Sequence, residues 1–233
     1  MLSEKYMIRK LNFYWLQWLP NLHRGTFVET LKCHRDQIVQ LCWAEALKTN
    51  TPSIFNDLIA EISFNGFARA IHSTKPDPYE RRIAPDDIVQ AIKKMALIRG
   101  GEFDRGAITV EMVEDAGHIK SRLLNFFQDT FQEVEVNPRL KGFGRLASCY
   151  PDVIIADRLI EVKSSKYRFR VEDFKQVFLY YFLAFHNGRT IKDLELVNPR
   201  RGESIIINVD DFCRIFAQSS HSRTMDRLAR DLM

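Results

Sequence analysis

The tightest constraint on the fold is the stretch Y-P-D-V-I-I-A-D-R-L-I-E-V-K at positions 150–163. An apolar run, 153–156, is followed by the polar pair Asp157-Arg158 and by a second apolar run carrying Glu161, Val162 and Lys163. Two such runs around a polar break predict a β-hairpin. Strand side chains alternate between faces, so Glu161 and Lys163 share one face and Ile160 and Val162 the other, with Asp152 on the face of Ile154. A two-residue loop at Ala156-Asp157 pairs 155 with 158 and sets Asp152 opposite Glu161. A loop at Asp157-Arg158 sets Asp152 opposite Lys163 instead. Any even-numbered loop keeps all three charges on one face. The turn is not Asn-Gly, so its type stays open.

Opposed carboxylates repel, and burying them costs several kcal/mol each unless they are paired or bind a metal. Hard Mg²⁺ or Mn²⁺ resolves the conflict, because both favour carboxylate oxygens. Lys163 can then orient or deprotonate a water, or stabilise charge on a phosphate. The plainer reading is a surface hairpin with a cross-strand ion pair. Against it stands the continuous apolar character of both strands, which argues burial on two faces.

Pro151-Asp152 followed by Glu161-Val162-Lys163 resembles the motif of the PD-(D/E)XK nuclease superfamily, and Gln176 with Tyr180 matches the Q-x-x-x-Y element of its RecB-like exonuclease branch. That element lies on 171–186, which reads as a helix: Glu172 and Asp173 fall in its first turn and Gly188 follows its end. Residues four apart share a helix face, so Gln176 and Tyr180 project together. The resemblance covers residues 107–215. It implies a restriction-endonuclease-like core, in which Asp152 and Glu161 hold Mg²⁺ or Mn²⁺ and the main-chain carbonyl of Val162 adds a ligand. Lys163 positions the attacking water, Gln176 fixes Lys163 or the substrate strand, and Tyr180 contacts substrate or braces the helix. Such relatives act mostly on DNA, with RNA as an alternative.

The helix before the hairpin, read over 108–131, carries an apolar stripe of Ala116, Ile119, Leu123 and Phe127. Glu111, Asp115, His118 and Arg122 form a ridge beside it. The superfamily usually supplies one metal ligand from such a helix, often a histidine. His118 is therefore the expected ligand and Asp115 the runner-up, with Glu111 and Glu114 behind them; the usual G-x-x-x-H is missing, and Gly117 directly precedes His118. From Arg139 to Arg170 eight Lys or Arg stand against three Asp or Glu, a local excess that suits a phosphate backbone. Lys141, Arg145 and Lys166 are the expected nucleic-acid contacts, each weighed against an ordinary solvated surface.

Residues 1–106 read as mostly helical, with helices over 11–19, 26–47, 53–71 and 88–99 and a candidate linker at 100–106. They are expected to form an N-terminal region separate from a nuclease-like domain at 107–233. Phe13, Tyr14, Trp15 and Trp18 read as core or subunit contact, with a stacking platform for single strands as the alternative. The N-terminal helices are the expected contact for a second copy of the chain or a protein partner such as a helicase. Residues 132–141 are expected to contain a strand, 194–197 and 204–209 two more around a turn at 198–202, and 210–233 a helical tail. The whole is an α/β fold, a mixed sheet flanked by helices.

Composition narrows the classes further. A net charge of +4 is mild and does not by itself require a nucleic-acid partner. The start M-L-S-E-K-Y lacks the apolar region of a secretory signal, and 11–22 is too short to span a bilayer and contains Pro20. A soluble, cytoplasmic or otherwise intracellular protein is expected, without membrane attachment. Cys33, Cys42, Cys149 and Cys213 match no zinc spacing and are expected to be buried free thiols. Some RecB-like nucleases hold an iron–sulfur cluster through three cysteines behind the core. Only Cys213 lies there, so no cluster is expected.

Two other functions compete with a metal-dependent deoxyribonuclease. One is a nucleic-acid-binding module that cuts nothing. The other is an RNA endonuclease of the cap-snatching type, which the Q-x-x-x-Y match disfavours.

Overall fold

The structure, a computed structural model, describes residues 2–10, 12–49, 51–73, 76–99 and 108–233. The expected linker at 100–106 lies outside them. Among the described residues no helix is long and apolar enough to cross a membrane.

A six-stranded mixed sheet lies between two layers of helices. Its order is β1 (Ile38–Cys42), β6 (Glu203–Asn208), β5 (Asp193–Asn198), β4 (Arg158–Val162), β3 (Val153–Ile155), β2 (Val134–Val136). All pairs are antiparallel except β4 with β5. Parallel neighbours need a crossover, and α7 (Val171–His186) provides it. On its face of the sheet α7 packs with α1 (Glu4–Lys10), α2 (Asn12–Trp18), α3 (Phe27–Cys33), α8 (Val209–Phe212) and α9 (His221–Leu232), over Ile154, Leu159, Leu194 and Leu196. On the other face α4 (Asn56–Ile71), α5 (Pro85–Arg99) and α6 (Val110–Phe127) cover Val134, Val153, Ile160 and Val197. The central strands are thus apolar on both sides, as their continuous runs predict.

The N-terminal region does not stand apart. β1 joins the sheet through β6, α1 and α2 enter one core, and α4 and α5 enter the other. Nor is it purely helical: the expected helix over 26–47 ends at Cys33 and gives way to β1. Pairing of Ile38–Cys42 with Ile207–Glu203 outweighs a weak helical pattern there. Trp15 and Trp18 are each 1 % exposed, and their indole N–H groups donate to Met7 O and to Asp231 Oδ2. They are core residues with satisfied polar handles and offer no stacking surface. All four cysteines are free; Cys149 and Cys213 are buried, whereas Cys33 and Cys42 are exposed, contrary to the expectation for those two.

In the hairpin Ile155 pairs with Arg158, Ile154 with Leu159 and Val153 with Ile160. The loop is therefore Ala156-Asp157, and the register places Asp152 across from Glu161. Ala156 sits at φ +48°, a left-handed conformation that costs a residue with a Cβ about 1–2 kcal/mol. Ala156→Gly removes that strain, partly offset by the greater entropy Gly loses on folding. The expected result is a net gain of about 0.5–1 kcal/mol in urea unfolding, with the circular dichroism spectrum unchanged.

Candidate metal centre and cleft

The centre forms where the hairpin strands end. Glu161 on β4 is 3 % exposed, and Asp152, just before β3, is partly buried. Asp152 Oδ2 accepts the main-chain N–H of Val162 at 2.8 Å, which fixes that carboxylate across the strand pair. Lys163 Nζ donates to Glu161 Oε1 at 2.7 Å and to Gln176 Oε1 at 2.5 Å. Gln176 Nε2 donates to Tyr180 Oη at 2.9 Å, and Tyr180 Oη donates to Glu4 Oε2 at 2.6 Å. The four-residue spacing of Gln176 and Tyr180 thus becomes a relay of orientation from α1 through α7 to the Lys163 ammonium.

Charge is not balanced here. Glu161 Oε2 is buried and, among the described residues, has no hydrogen-bond partner, a condition that costs on the order of 1–3 kcal/mol or more for a charged group. Burial pushes the Asp152 carboxyl well above the usual carboxylate range, and repulsion from Glu161 adds to it; Lys163 and the Val162 N–H offset only part. Burial alone would lower the Lys163 ammonium, but Glu161, Asp173 and Asp152 overcome it and push it up to about 12. Without a metal, Lys163 is at neutral pH a cation that donates to Glu161 and Gln176. Burial, then the charges of Glu161 and Glu4, raises the Tyr180 phenol, so Tyr180 acts as a neutral donor. Glu4 is itself raised by burial.

Two carboxylates, one with an unsatisfied buried oxygen, fit a hard divalent cation. Mg²⁺ is bound through one or two carboxylates and keeps several waters. Among the described residues no group of three or more His, Cys, Asp or Glu gathers as a ligand set, so the donors do not make a closed cage for Zn²⁺ or Ca²⁺.

Beside the centre lies a cavity of about 640 Å³, lined in part by Val162, Lys163 and Gln176. One wall is the N-terminal half of α4, with Asp57 and Glu61; another is the 164–170 loop, with Arg168 and Arg170. Glu61 pairs with Lys94 at 2.6 Å, and Lys94 is close enough to act on Asp152. Sequence reasoning missed Glu4, Asp57 and Glu61. Asp57 and Glu61 are four apart on α4, a visible carboxylate pair on one helix face. Glu4 meets Tyr180 across 176 positions and leaves no local signal.

No protein-family model, curated protein or solved structure matches the chain. The site therefore has to be judged on its own geometry.

That geometry brings Asp152, Glu161, Lys163, Gln176 and Tyr180 together and leaves other expected residues elsewhere. The α6 ridge faces the β5–β6 turn. Arg122 donates to Pro199 O, and the carboxylate of Asp115 accepts two bonds from Arg200, at 3.1 and 2.9 Å, and one from Thr49. Asp115 is thereby a buried counter-ion to Arg200 and not a ligand. His118 lies on the same ridge and makes no contact with Asp152, Glu161 or Lys163. α6 packs on the face of Val153 and Ile160 and turns this ridge toward the β5–β6 turn. Lys141 is exposed near the far end of α7, where its main chain exchanges bonds with Asn187. The Arg145 guanidinium donates to Asp231 O and does not line the cleft. Lys166 is exposed on the loop that walls the cleft, over the ring of Tyr167.

Two outcomes follow. A carboxyl with a raised folded-state pKa takes up protons on folding. It is neutral in effect below its unfolded value, about 3.9, and destabilises as pH climbs from there through the folded value. Asp152→Asn keeps an acceptor for Val162 and should raise the metal-free Tm at pH 7 by roughly 2–4 °C, the shift about 1 kcal/mol gives at this size. The gain should vanish below about pH 3.9, and Mg²⁺ should stabilise only the unsubstituted protein. Arg200→Met strands a buried Asp115 charge and should cost about 3–5 kcal/mol in urea unfolding, whereas Asp115→Asn should leave Mg²⁺ affinity of the folded protein unchanged.

Proposed function

We propose that the protein is a metal-dependent nuclease that hydrolyses phosphodiester bonds, with DNA as the substrate. The observation that carries this reading is the pair Asp152 and Glu161, opposed across one hairpin, with an unpartnered buried carboxylate oxygen and a lysine ammonium held between Glu161 and Gln176. A bound Mg²⁺ or Mn²⁺ would supply Lewis acidity to the scissile phosphate and lower the pKa of a bound water. Asp152 and Glu161 provide its oxygen ligands, and the Val162 carbonyl is the proposed third.

The chain's own groups do the rest. Lys163 orients the attacking water and, as an ammonium, neutralises charge that builds on phosphate oxygens. Gln176 holds the Lys163 side chain, and Tyr180 and Glu4 hold Gln176. Arg168 and Arg170 on the cleft wall, with Lys166 beside them, suit phosphate groups on either side of the cut. The order α6, β2–β3–β4, α7, β5 supports a restriction-endonuclease-like core, and the likeness of the motif to RecB-like enzymes supports DNA over RNA.

A binding module without activity is the second reading. The basic cleft wall of Arg168 and Arg170 suits a phosphate backbone whether or not it is cut.

Cleavage of circular, nicked, blunt and single-stranded DNA and of single-stranded RNA, with Mg²⁺ or Mn²⁺ against EDTA, separates these readings. The expected result is divalent-dependent cutting of DNA that falls by about 10²–10³-fold in Lys163→Ala and to background in Asp152→Ala. Binding without cutting under every metal would leave the binding module. Preferential cutting of RNA would favour the endonuclease alternative.

A further inference from the structure

A second cavity, about 670 Å³, adjoins the first; both are lined by Ile8, Arg170 and Glu172. Its character is opposite. The catalytic cleft is lined by five carboxylates and four cations, whereas the second cavity has Arg24, Arg170 and Lys175 against Glu172 alone, with His23 beside them. Glu172 is already engaged, accepting from Arg24 Nη2 at 2.7 Å. The side chains of Arg24 and Arg170 are largely exposed, 85 % and 67 %, and are held only by surface ion pairs, Arg24 to Glu172 and Arg170 to Asp173, which are weak enough for a ligand to share.

Lys175 decides the matter. It lies on α7 one residue before Gln176 and is 7 % exposed. No carboxylate or carbonyl among the described residues accepts from its ammonium, which sits 5.3 Å from the ring centre of Trp15. The side chain is largely buried while its nitrogen opens onto the cavity, and partial desolvation lowers the Lys175 pKa. An aromatic face compensates in part. A doubly charged anion would accept from the remaining donors and favour the charged form of the lysine. Trp15 is too buried to stack on a base, so the chemistry on offer is for the anion, not for a nucleobase.

We propose that this cavity is a phosphate-binding site, with Lys175 as its floor and Arg24 and Arg170 at its mouth. The phosphate comes either from a strand that continues out of the catalytic cleft past Arg170, or from a free phosphate or mononucleotide. The inference does not depend on the protein cutting anything, and its test needs no divalent metal.

Titration calorimetry in EDTA would use inorganic phosphate, a mononucleotide 5′-phosphate, and a short single-stranded oligonucleotide with either a 5′-phosphate or a 5′-hydroxyl. Phosphate binding that weakens by about tenfold or more in Lys175→Met and is retained in Lys175→Arg is expected for a charge-assisted contact. Tighter binding of the oligonucleotides than of inorganic phosphate, with both dependent on Lys175, identifies the strand as the source. Equal affinity for inorganic phosphate and mononucleotide, with no gain from the strand, identifies the free anion. If Lys175→Met does not fold, Arg170→Gln at the exposed mouth should weaken the same binding about threefold. Absence of binding by any of these ligands to the folded protein, or binding unchanged in these variants, overturns the proposal.

Discussion

The centre depends on one unfavourable contact: two carboxylates forced face to face by the register of a hairpin. A two-residue loop at Ala156-Asp157 leaves Asp152 and Glu161 no way to avoid each other, because a strand cannot slip by one residue without turning its apolar side chains to the wrong layer. The chain tolerates the repulsion through a main-chain N–H on Asp152 and an ammonium on Glu161, and still leaves one oxygen without a partner. Instability concentrated in two side chains on an otherwise well-packed sheet supports the proposed cation site.

The fold around this pair supplies rigidity. β4 is flanked by β3 and β5 and packed on both faces, so Glu161 has little freedom to retreat. α7 serves as crossover, core helix and carrier of Gln176 and Tyr180. Its first turn borders both cavities through Glu172.

Much of this was legible in local sequence, and the limits are physical. The hairpin and its one-faced charges follow from alternation, and α7 follows from acids at its start and a glycine beyond its end. The choice between two loop positions was not legible, because Ala156 at φ +48° is a conformation its residue type does not advertise. The ridge on α6 was read correctly as a ridge: Asp115 and Arg122 do point the same way. Its target was not, since periodicity says which residues share a face but not which part of the fold that face will meet. β1 was hidden in an apparent helix because its pairing with β6 is a tertiary fact. Glu4 and Lys175 gain their meaning only from neighbours far away in the chain.

The bond from Tyr180 to Glu4 joins positions at a separation of 176. The hairpin can close from local sequence alone, on the microsecond scale of such elements. The lysine it carries is held in its final pose only after a helix from near the start of the chain has docked against α7, a far costlier closure in chain entropy. The acidic pair thus rests on the shortest loop closure in the centre, and the pose of its cationic companion on the longest, made between two helices of one layer.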